Sequence, residues 1–274
     1  MNKKIFNFLF GTVMLFGFVF FTTPVKAATN YDLWVGGVQV TSNNAKDVLN
    51  GGTVSYDADK NILTLNNAKI TDAHQVNTHF RGIDSQMDDL TINLIGNNTI
   101  DVRNAGNDSG LTAKLNYGIN VKDLTITGDG SLEVQSIDYG VYASDLVIEN
   151  GTSSFIVEQG DASSYGVYAK NITVNGGNIT GEGHINSEKS AGIMVSDTLT
   201  VKSGTVLGKN TSDKFSYGIK AKNITVIDGT VLGDGSRGVY TENGGVITMK
   251  NGKILATGNG IGRVMLNLDL GLIL

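Results

Sequence analysis

Two sets of regularly spaced side chains in this sequence could take part in binding chemistry, and the first is a set of tyrosines. Tyr142 and Tyr168 occupy the same position in consecutive repeats, and Tyr240 occupies it in a later one. Tyrosine combines an apolar ring face with a polar hydroxyl, so a row of exposed rings is suited to contact with sugars. These three tyrosines are therefore the candidate ligand-binding residues. The alternative is a stacked pair, Tyr142 and Tyr168, that only stabilises the fold.

The second set is acidic, and its densest group is Asp84, Asp88 and Asp89. Carboxylates held about 5 Å apart on stacked strands repel one another unless a cation bridges them, and Ca²⁺ prefers such oxygen ligands. We therefore take these three residues as the candidate metal site, with calcium as the one cofactor suggested. Aspartate and asparagine also recur just before a repeated strand, where hydrogen bonds to the local backbone explain them equally well. The positions in this wider row are Asp88, Asp89, Asp123, Asp145, Asn171, Asp197 and Asn223.

No catalytic signature accompanies these residues. His74, His79 and His184 lack the spacing of a metalloprotease motif and are expected to be exposed loop residues. The glycine-rich segment 233–238 has the spacing of a nucleotide-binding motif, but a strand pattern follows it, which indicates a β-turn. We assign no residue a catalytic role.

Composition excludes several classes of protein. The 274 residues include 36 Gly, one Pro and no Cys, with 17% charged residues and a net charge of −5. Without cysteine, neither disulfides nor thiolate metal sites can order the chain. The acidic balance and the lack of Lys/Arg runs argue against a nucleic-acid partner. Abundant glycine with few charges favours many short strands joined by tight turns.

Residues 1–27 have the pattern of a signal peptide. Lys3 and Lys4 precede an apolar run, and small residues near Ala27 form a cleavage site. A retained membrane anchor is the alternative, because the run is near the minimum length that spans a bilayer. Removal of this segment leaves 18 basic and 26 acidic residues, a net charge of −8. We expect an extracellular or cell-surface protein with no membrane span after processing.

An internal repeat organises the rest of the chain. A Gly-Ile or Gly-Val pair recurs at residues 82, 118, 140, 166, 192, 218, 238 and 260. After most of these pairs comes a strand such as Leu124-Thr125-Ile126, then a turn, then a third short strand. A unit of 20 to 26 residues with three strands buries little alone, but stacked units bury a continuous core. The sequence predicts an all-β, right-handed, three-faced parallel β-helix of about seven to eight coils over residues 61–262; a propeller requires longer repeats.

The two ends depart from the repeat. Residues 28–60 are expected to form an atypical N-terminal cap, with one strand from Tyr31 to Val40 and with Trp34 as a plug over the first coil. Residues 263–274 are apolar and form either a last coil that stops abruptly or the truncated end of a longer protein. An exposed apolar end of this kind is an association site or an aggregation liability.

The segments YDLWVGGVQVT and GGTVSYDADKNILTLNNAKI, followed by YGI/YGVYA and LTITG coils, resemble exported β-helical surface proteins of Gram-positive bacteria described as carbohydrate-binding-domain-like. The resemblance covers nearly all of residues 30–262. It implies a right-handed β-helix related in shape to pectate lyases, export to the cell surface, and binding of polysaccharide or cell-wall glycan with calcium.

Three hypotheses about function follow. The first is a secreted or cell-surface binding module without catalysis, with polysaccharide as its ligand. The second is a polysaccharide lyase or hydrolase, which needs a proton-transfer group beside the acidic residues. The third is a structural stalk or adhesin segment that acts through protein contacts.

Overall fold

The computed structural model describes residues 27–258, except 112–113, 158–163, 185–189, 213–215 and 243, together with the strands Ile261–Gly262 and Leu266–Leu268. The described chain is all-β, apart from one short 3-10 helix at Asn107–Ser109. Its strands form a 17-stranded sheet and an 8-stranded sheet. The predicted signal peptide lies outside the described residues but for Ala27, as does most of the predicted C-terminal end.

Six short strands make up the N-terminal part. They are β1 (Asn30–Val35), β2 (Val38–Thr41), β3 (Val54–Asp57), β4 (Ile62–Asn66), β5 (Lys69–Ile70) and β6 (His74–Val76). The predicted single strand from Tyr31 to Val40 is wrong, because β1 and β2 form an antiparallel hairpin. Its turn, Gly36-Gly37, has φ values of 55° and 76°, a left-handed conformation that glycine adopts readily. Two glycines at the turn therefore reverse the chain inside an otherwise strand-like segment.

The remaining strands wind into coils. The first two coils contain β7 (His79–Ser85), β8 (Asp89–Ile95), β9 (Asn97–Asp101), β10 (Leu115–Asn120), β11 (Asp123–Gly128) and β12 (Ser131–Ser136). The next four contain β13 (Tyr139–Ile148), β14 (Thr152–Val157), β15 (Ser164–Val174), β16 (Asn178–Gly183), β17 (Ser190–Val201), β18 (Thr205–Asn210), β19 (Tyr217–Val226) and β20 (Thr230–Asp234). Last come β21 (Arg237–Thr241), β22 (Ile247–Met249), β23 (Lys253–Ala256), β24 (Ile261–Gly262) and β25 (Leu266–Leu268).

The coils form a parallel β-solenoid of about seven turns, which confirms the predicted fold class. Each coil has three strand positions. The first two positions belong to the 17-stranded sheet and merge into one long strand in β13, β15, β17 and β19. The third position forms the 8-stranded sheet, from β5 to β23. Parallel pairing begins in the N-terminal part, since β4 pairs with β8 and β5 with β9.

The core consists of columns of aliphatic residues, one residue from each coil. The column after the repeat glycine is fully buried and contains Ile83, Ile119, Val141, Val167, Ile193, Ile219 and Val239. Threonines at the middle of the second strand position are also in register, with Thr125 beside Thr91 and Thr173 beside Thr200. Alternation along each strand thus sends apolar side chains inward and β-branched polar ones outward.

The repeat glycine is required by close packing between coils. A Cβ atom on Gly140 would lie 2.4 Å from the carbonyl oxygen of Gly166 and 2.8 Å from Cβ of Phe155. On Gly118 it would lie 2.6 Å from the carbonyl oxygen of Gly140. Real Cβ atoms do not approach a backbone oxygen this closely. Glycine is therefore placed where a larger residue would push adjacent coils apart.

Trp34 is not the predicted plug. Leu33 and Val35, its neighbours on β1, point inward and are fully buried, whereas Trp34 points to the outer side and is partly exposed. The reason is strand alternation, which puts every second side chain of β1 outside. Within the described residues, none of the helical structure has the length and hydropathy of a membrane span.

Candidate functional site

One outer face of the solenoid carries an unbroken row of aromatic and polar side chains, which we call the outward row. It crosses the first strand of each coil, and strand register joins its members one after another. In order along the solenoid they are Trp34, Asp84, Asn120, Tyr142, Tyr168, Met194, Lys220 and Tyr240. The shared position predicted for Tyr142, Tyr168 and Tyr240 is confirmed, and the row continues past Asp84 to Trp34.

A second line of tyrosines runs beside the outward row, three residues earlier on each strand. Register pairs Tyr117 with Tyr139 and Tyr139 with Tyr165. The Tyr117 and Tyr139 rings are stacked, with centroids 4.8 Å apart and planes 6° from parallel. The series is interrupted by Ala191 and resumes at Tyr217. These rings pack edge-on against the tyrosines of the outward row.

Tyr142 and Tyr168 form the centre of the face. Their rings are 5.1 Å apart and within 3° of parallel. Tyr139 meets both rings edge-on, at 5.5 Å from Tyr142 and 6.1 Å from Tyr168. The two rings therefore cover one face of each other. Tyr117, on the same strand as Asn120, also packs against Tyr142 in an edge contact at 6.0 Å. What the pair presents to a ligand is therefore its ring edges and hydroxyls; the Tyr142 residue is 39% exposed.

Tyr240, the third candidate ligand-binding residue, lies apart from this pair. Met194 and Lys220 separate it from Tyr168 in the outward row. Its ring contacts Tyr217 at 5.1 Å with a 51° tilt, and the Arg237 guanidinium lies over both rings. Cation–π contacts of this kind stabilise the coil stack. The structure therefore joins Tyr142 with Tyr168 but does not bring Tyr240 to them.

A buried carboxylate occupies the start of the same face. Asp84 has no exposed surface, although its position points outward, because neighbouring side chains close over it. Arg81 Nη1 donates to both carboxylate oxygens at 3.1 Å. Asn120 Nδ2 donates at 2.9 Å and Gln86 Nε2 at 3.2 Å. His74 Nδ1 lies 2.8 Å from the second oxygen. The charge of Asp84 is thus compensated by several donors, as a buried carboxylate requires.

Trp34 and His74 form a second aromatic stack beside Asp84. Their rings are 4.4 Å apart and within 1° of parallel. The expectation that the histidines are exposed loop residues is wrong for two of them. His74 lies in β6 and His79 in β7, and the side chain of His74 is only 21% exposed. Pairing of β6 with β7 is what brings His74 to Asp84.

The candidate metal residues do not come together as a ligand set. Asp84 is enclosed by its own partners, whereas Asp88 is exposed and paired with Lys122. Asp89 is exposed and accepts a hydrogen bond from Asn61 at 3.4 Å. Among the residues that the structure describes, no cluster of three or more His, Asp or Glu side chains has the spacing to hold a metal ion. These aspartates have amide and cationic partners instead.

The wider acidic row is in register over its first members. Asp123 lies beside both Asp89 and Asp145, and Asp145 lies beside Asn171. Asn171 Nδ2 donates to Asp145 at 2.7 Å, so asparagine relieves repulsion between carboxylates. Asp197 is not in this row, because β17 has one extra residue and Thr198 takes the position. The extra residue is visible in the spacing of the repeat, because Leu199 follows Gly192 by seven residues whereas Ile172 follows Gly166 by six.

Burial alters the acid–base behaviour of the face. It raises the pKa of Tyr117 to about 12, with a smaller contribution from Tyr139. Burial likewise raises the pKa of Tyr165 and of Tyr168. It lowers the pKa of His79, and the positive charge of Arg81 acts in the same direction. The tyrosine hydroxyls are therefore neutral hydrogen-bonding groups at physiological pH.

Comparison of the chain with protein-family models, with curated proteins and with solved structures finds no match.

Proposed function

We propose that the protein is an exported, non-catalytic glycan-binding module and that the outward row is its binding surface. The observation that carries the proposal is the Tyr142–Tyr168 stack in line with the Trp34–His74 stack on one face. Aromatic rings supply apolar contact to the C–H side of a sugar, and the adjacent amide, hydroxyl and imidazole groups supply hydrogen bonds.

The direction of the row favours a chain-like ligand. Its members follow one another at the strand spacing of about 4.8 Å, along the solenoid axis. A linear polysaccharide lying along this axis would meet a new side chain at every coil. Hydrogen bonding between coils makes the surface rigid, which lowers the entropy cost of binding.

A glycan array tests the proposal. The full processed chain and its Tyr142→Ala/Tyr168→Ala variant are applied to the same array, with a Thr180→Ala variant as control because Thr180 lies on the third-strand sheet. We expect the wild type to bind at least one class of glycan and the double variant to lose about tenfold or more in affinity. Absence of glycan binding by the folded wild type would contradict the proposal.

The same polymers distinguish binding from catalysis. Incubation with the protein should leave chain length unchanged and should release neither reducing ends nor unsaturated sugars. Either product would instead favour the lyase or hydrolase hypothesis, with His74 as the first residue to replace because it is oriented by Asp84.

A further inference from the structure

The two aromatic stacks are separated by a short polar stretch, which we call the polar gap. It consists of Arg81, Asp84 and Asn120. On one side lies the Trp34–His74 stack, and on the other lies the ring of Tyr142, against which Tyr117 packs at 6.0 Å. Three strand spacings, about 14 Å, separate the Trp34 and Tyr142 positions, so a sugar lying over the polar gap would have an aromatic side chain at either end.

We infer that the polar gap is the central subsite of the binding face and that it takes an uncharged sugar in preference to a uronate. This inference rests on the function proposed above and specifies the class of glycan.

The hydrogen bonds to Asp84 determine which groups Asn120 and His74 offer to a ligand. Asn120 donates its Nδ2 to Asp84, which leaves its Oδ1 as an acceptor for a sugar hydroxyl. An ionised carboxylate only accepts, so Nδ1 of His74 is the donor to Asp84, and in that tautomer of the imidazole Nε2 is an acceptor. Asp84 is thus a positioning residue that orients acceptors toward the gap. Acceptors suit hydroxyl groups and repel a carboxylate.

The cations near the polar gap and along the outward row are paired with acidic residues. Arg81, the cation of the polar gap, forms an ion pair with Asp84 at 3.1 Å, so little of its positive charge remains for an anionic ligand. His79 lies near Arg81, and its lowered pKa keeps it neutral at pH 7. Farther along the row, Lys220 is paired with Glu242 at 3.1 Å. A net charge of −8 without residues 1–27 also repels polyanions at long range.

The test compares neutral and acidic polymers on one set of variants. Affinity electrophoresis of the processed chain is run in gels containing barley β-glucan, glucomannan or polygalacturonate, with a chelator present to exclude bridging by metal ions. We expect retardation by at least one neutral polymer and none by polygalacturonate. Asn120→Ala should weaken the neutral interaction by about three- to tenfold, because a hydrogen-bonding group is lost.

Two further variants serve as a control and as a second test of the acceptor groups. Asn178→Ala removes an exposed amide from the third-strand sheet and should leave retardation unchanged. His74→Phe removes the second acceptor but keeps an aromatic ring beside Trp34, and it should weaken retardation independently, so the test stands even if Asn120→Ala folds poorly. Circular dichroism confirms that each variant is folded.

Three results would contradict either the inference or the proposed function. Preference for polygalacturonate that is lost in Tyr142→Ala would overturn the inference and leave the proposed function intact. Neutral binding that depends on Tyr142 but is unaffected by both Asn120→Ala and His74→Phe would also overturn the inference. No retardation by any polymer, together with a blank glycan array, would overturn the proposed function itself.

Discussion

Tyr142 and Tyr168 stack with ring centroids 5.1 Å apart and planes 3° from parallel, because parallel register places them on consecutive coils of one face. This contact is consistent with two roles, ligand binding and stabilisation of the coils. The two roles differ in what they predict for stability without ligand.

The stack should contribute measurably to folding. In a double-mutant cycle with Tyr142→Ala and Tyr168→Ala, we expect a coupling free energy of about 0.5–1.5 kcal/mol. Urea denaturation of the four proteins measures it. A coupling free energy near zero would mean that the rings are neighbours without an energetic interaction, and ligand binding would then be the main reason for their alignment.

The repeat glycines should be intolerant of even one added methyl group. Gly140→Ala would force Cβ against the Gly166 carbonyl oxygen, and we expect a loss of about 1–3 kcal/mol of unfolding free energy. Gly51→Ala is the matched control, because its nearest neighbour is 3.8 Å away and its φ is not left-handed. Denaturant unfolding compares the two, and equal stabilities would contradict the packing argument.

The repeat made most of this architecture predictable. Seven copies of one pattern determine the inward column from Ile83 to Val239 and the outward alignment of Tyr142 with Tyr168. Features present only once could not be read in this way. The Gly36-Gly37 turn, the pairing of Trp34 with Asp84 and the approach of His74 to Asp84 all depend on antiparallel pairing near the N-terminus.

The aromatic stack of Trp34 on His74 therefore had no signal in the spacing of residues. Arg81 and Asp84 are close in sequence, three residues apart near the first repeat glycine, but this separation does not indicate their ion pair. Side chains two apart on a strand share a face, so those three apart do not predict an ion pair. The extra residue of β17 moves Asp197 out of the acidic row, and the sequence shows it as seven residues, not six, from the repeat glycine Gly192 to Leu199.

Asp84 should be essential for stability. Asp84→Ala removes the acceptor of Arg81, Asn120 and Gln86 and leaves a mostly buried guanidinium without its carboxylate. We expect a loss of about 3–5 kcal/mol of unfolding free energy. Asp88→Ala is the control, since Asp88 is an exposed partner of Lys122, and it should cause no measurable change. Similar effects of the two variants on thermal unfolding would refute the structural role of Asp84.

Buried tyrosine hydroxyls should make the folded protein less stable as the pH rises above about 10. The pKa of Tyr117 is raised to about 12 by burial, whereas an unfolded tyrosine titrates near 10. Between these two values the folded chain binds more protons than the unfolded chain, so stability falls as pH rises. The contribution of Tyr117 is complete below about pH 10 and is progressively lost up to about pH 12.

Tyr117→Phe isolates this effect, because phenylalanine retains the ring stacked on Tyr139 and cannot ionise. Between about pH 9 and pH 11, the wild type should lose roughly 1.4 kcal/mol more unfolding free energy than the variant. Urea denaturation at a series of pH values measures the difference. Tyr165 and Tyr168, whose pKa values are also raised, remain in both proteins and cancel in the comparison. Parallel stability curves for the two proteins would show that the Tyr117 hydroxyl is not buried in solution, and with it the close packing of tyrosines behind the outward row would be refuted.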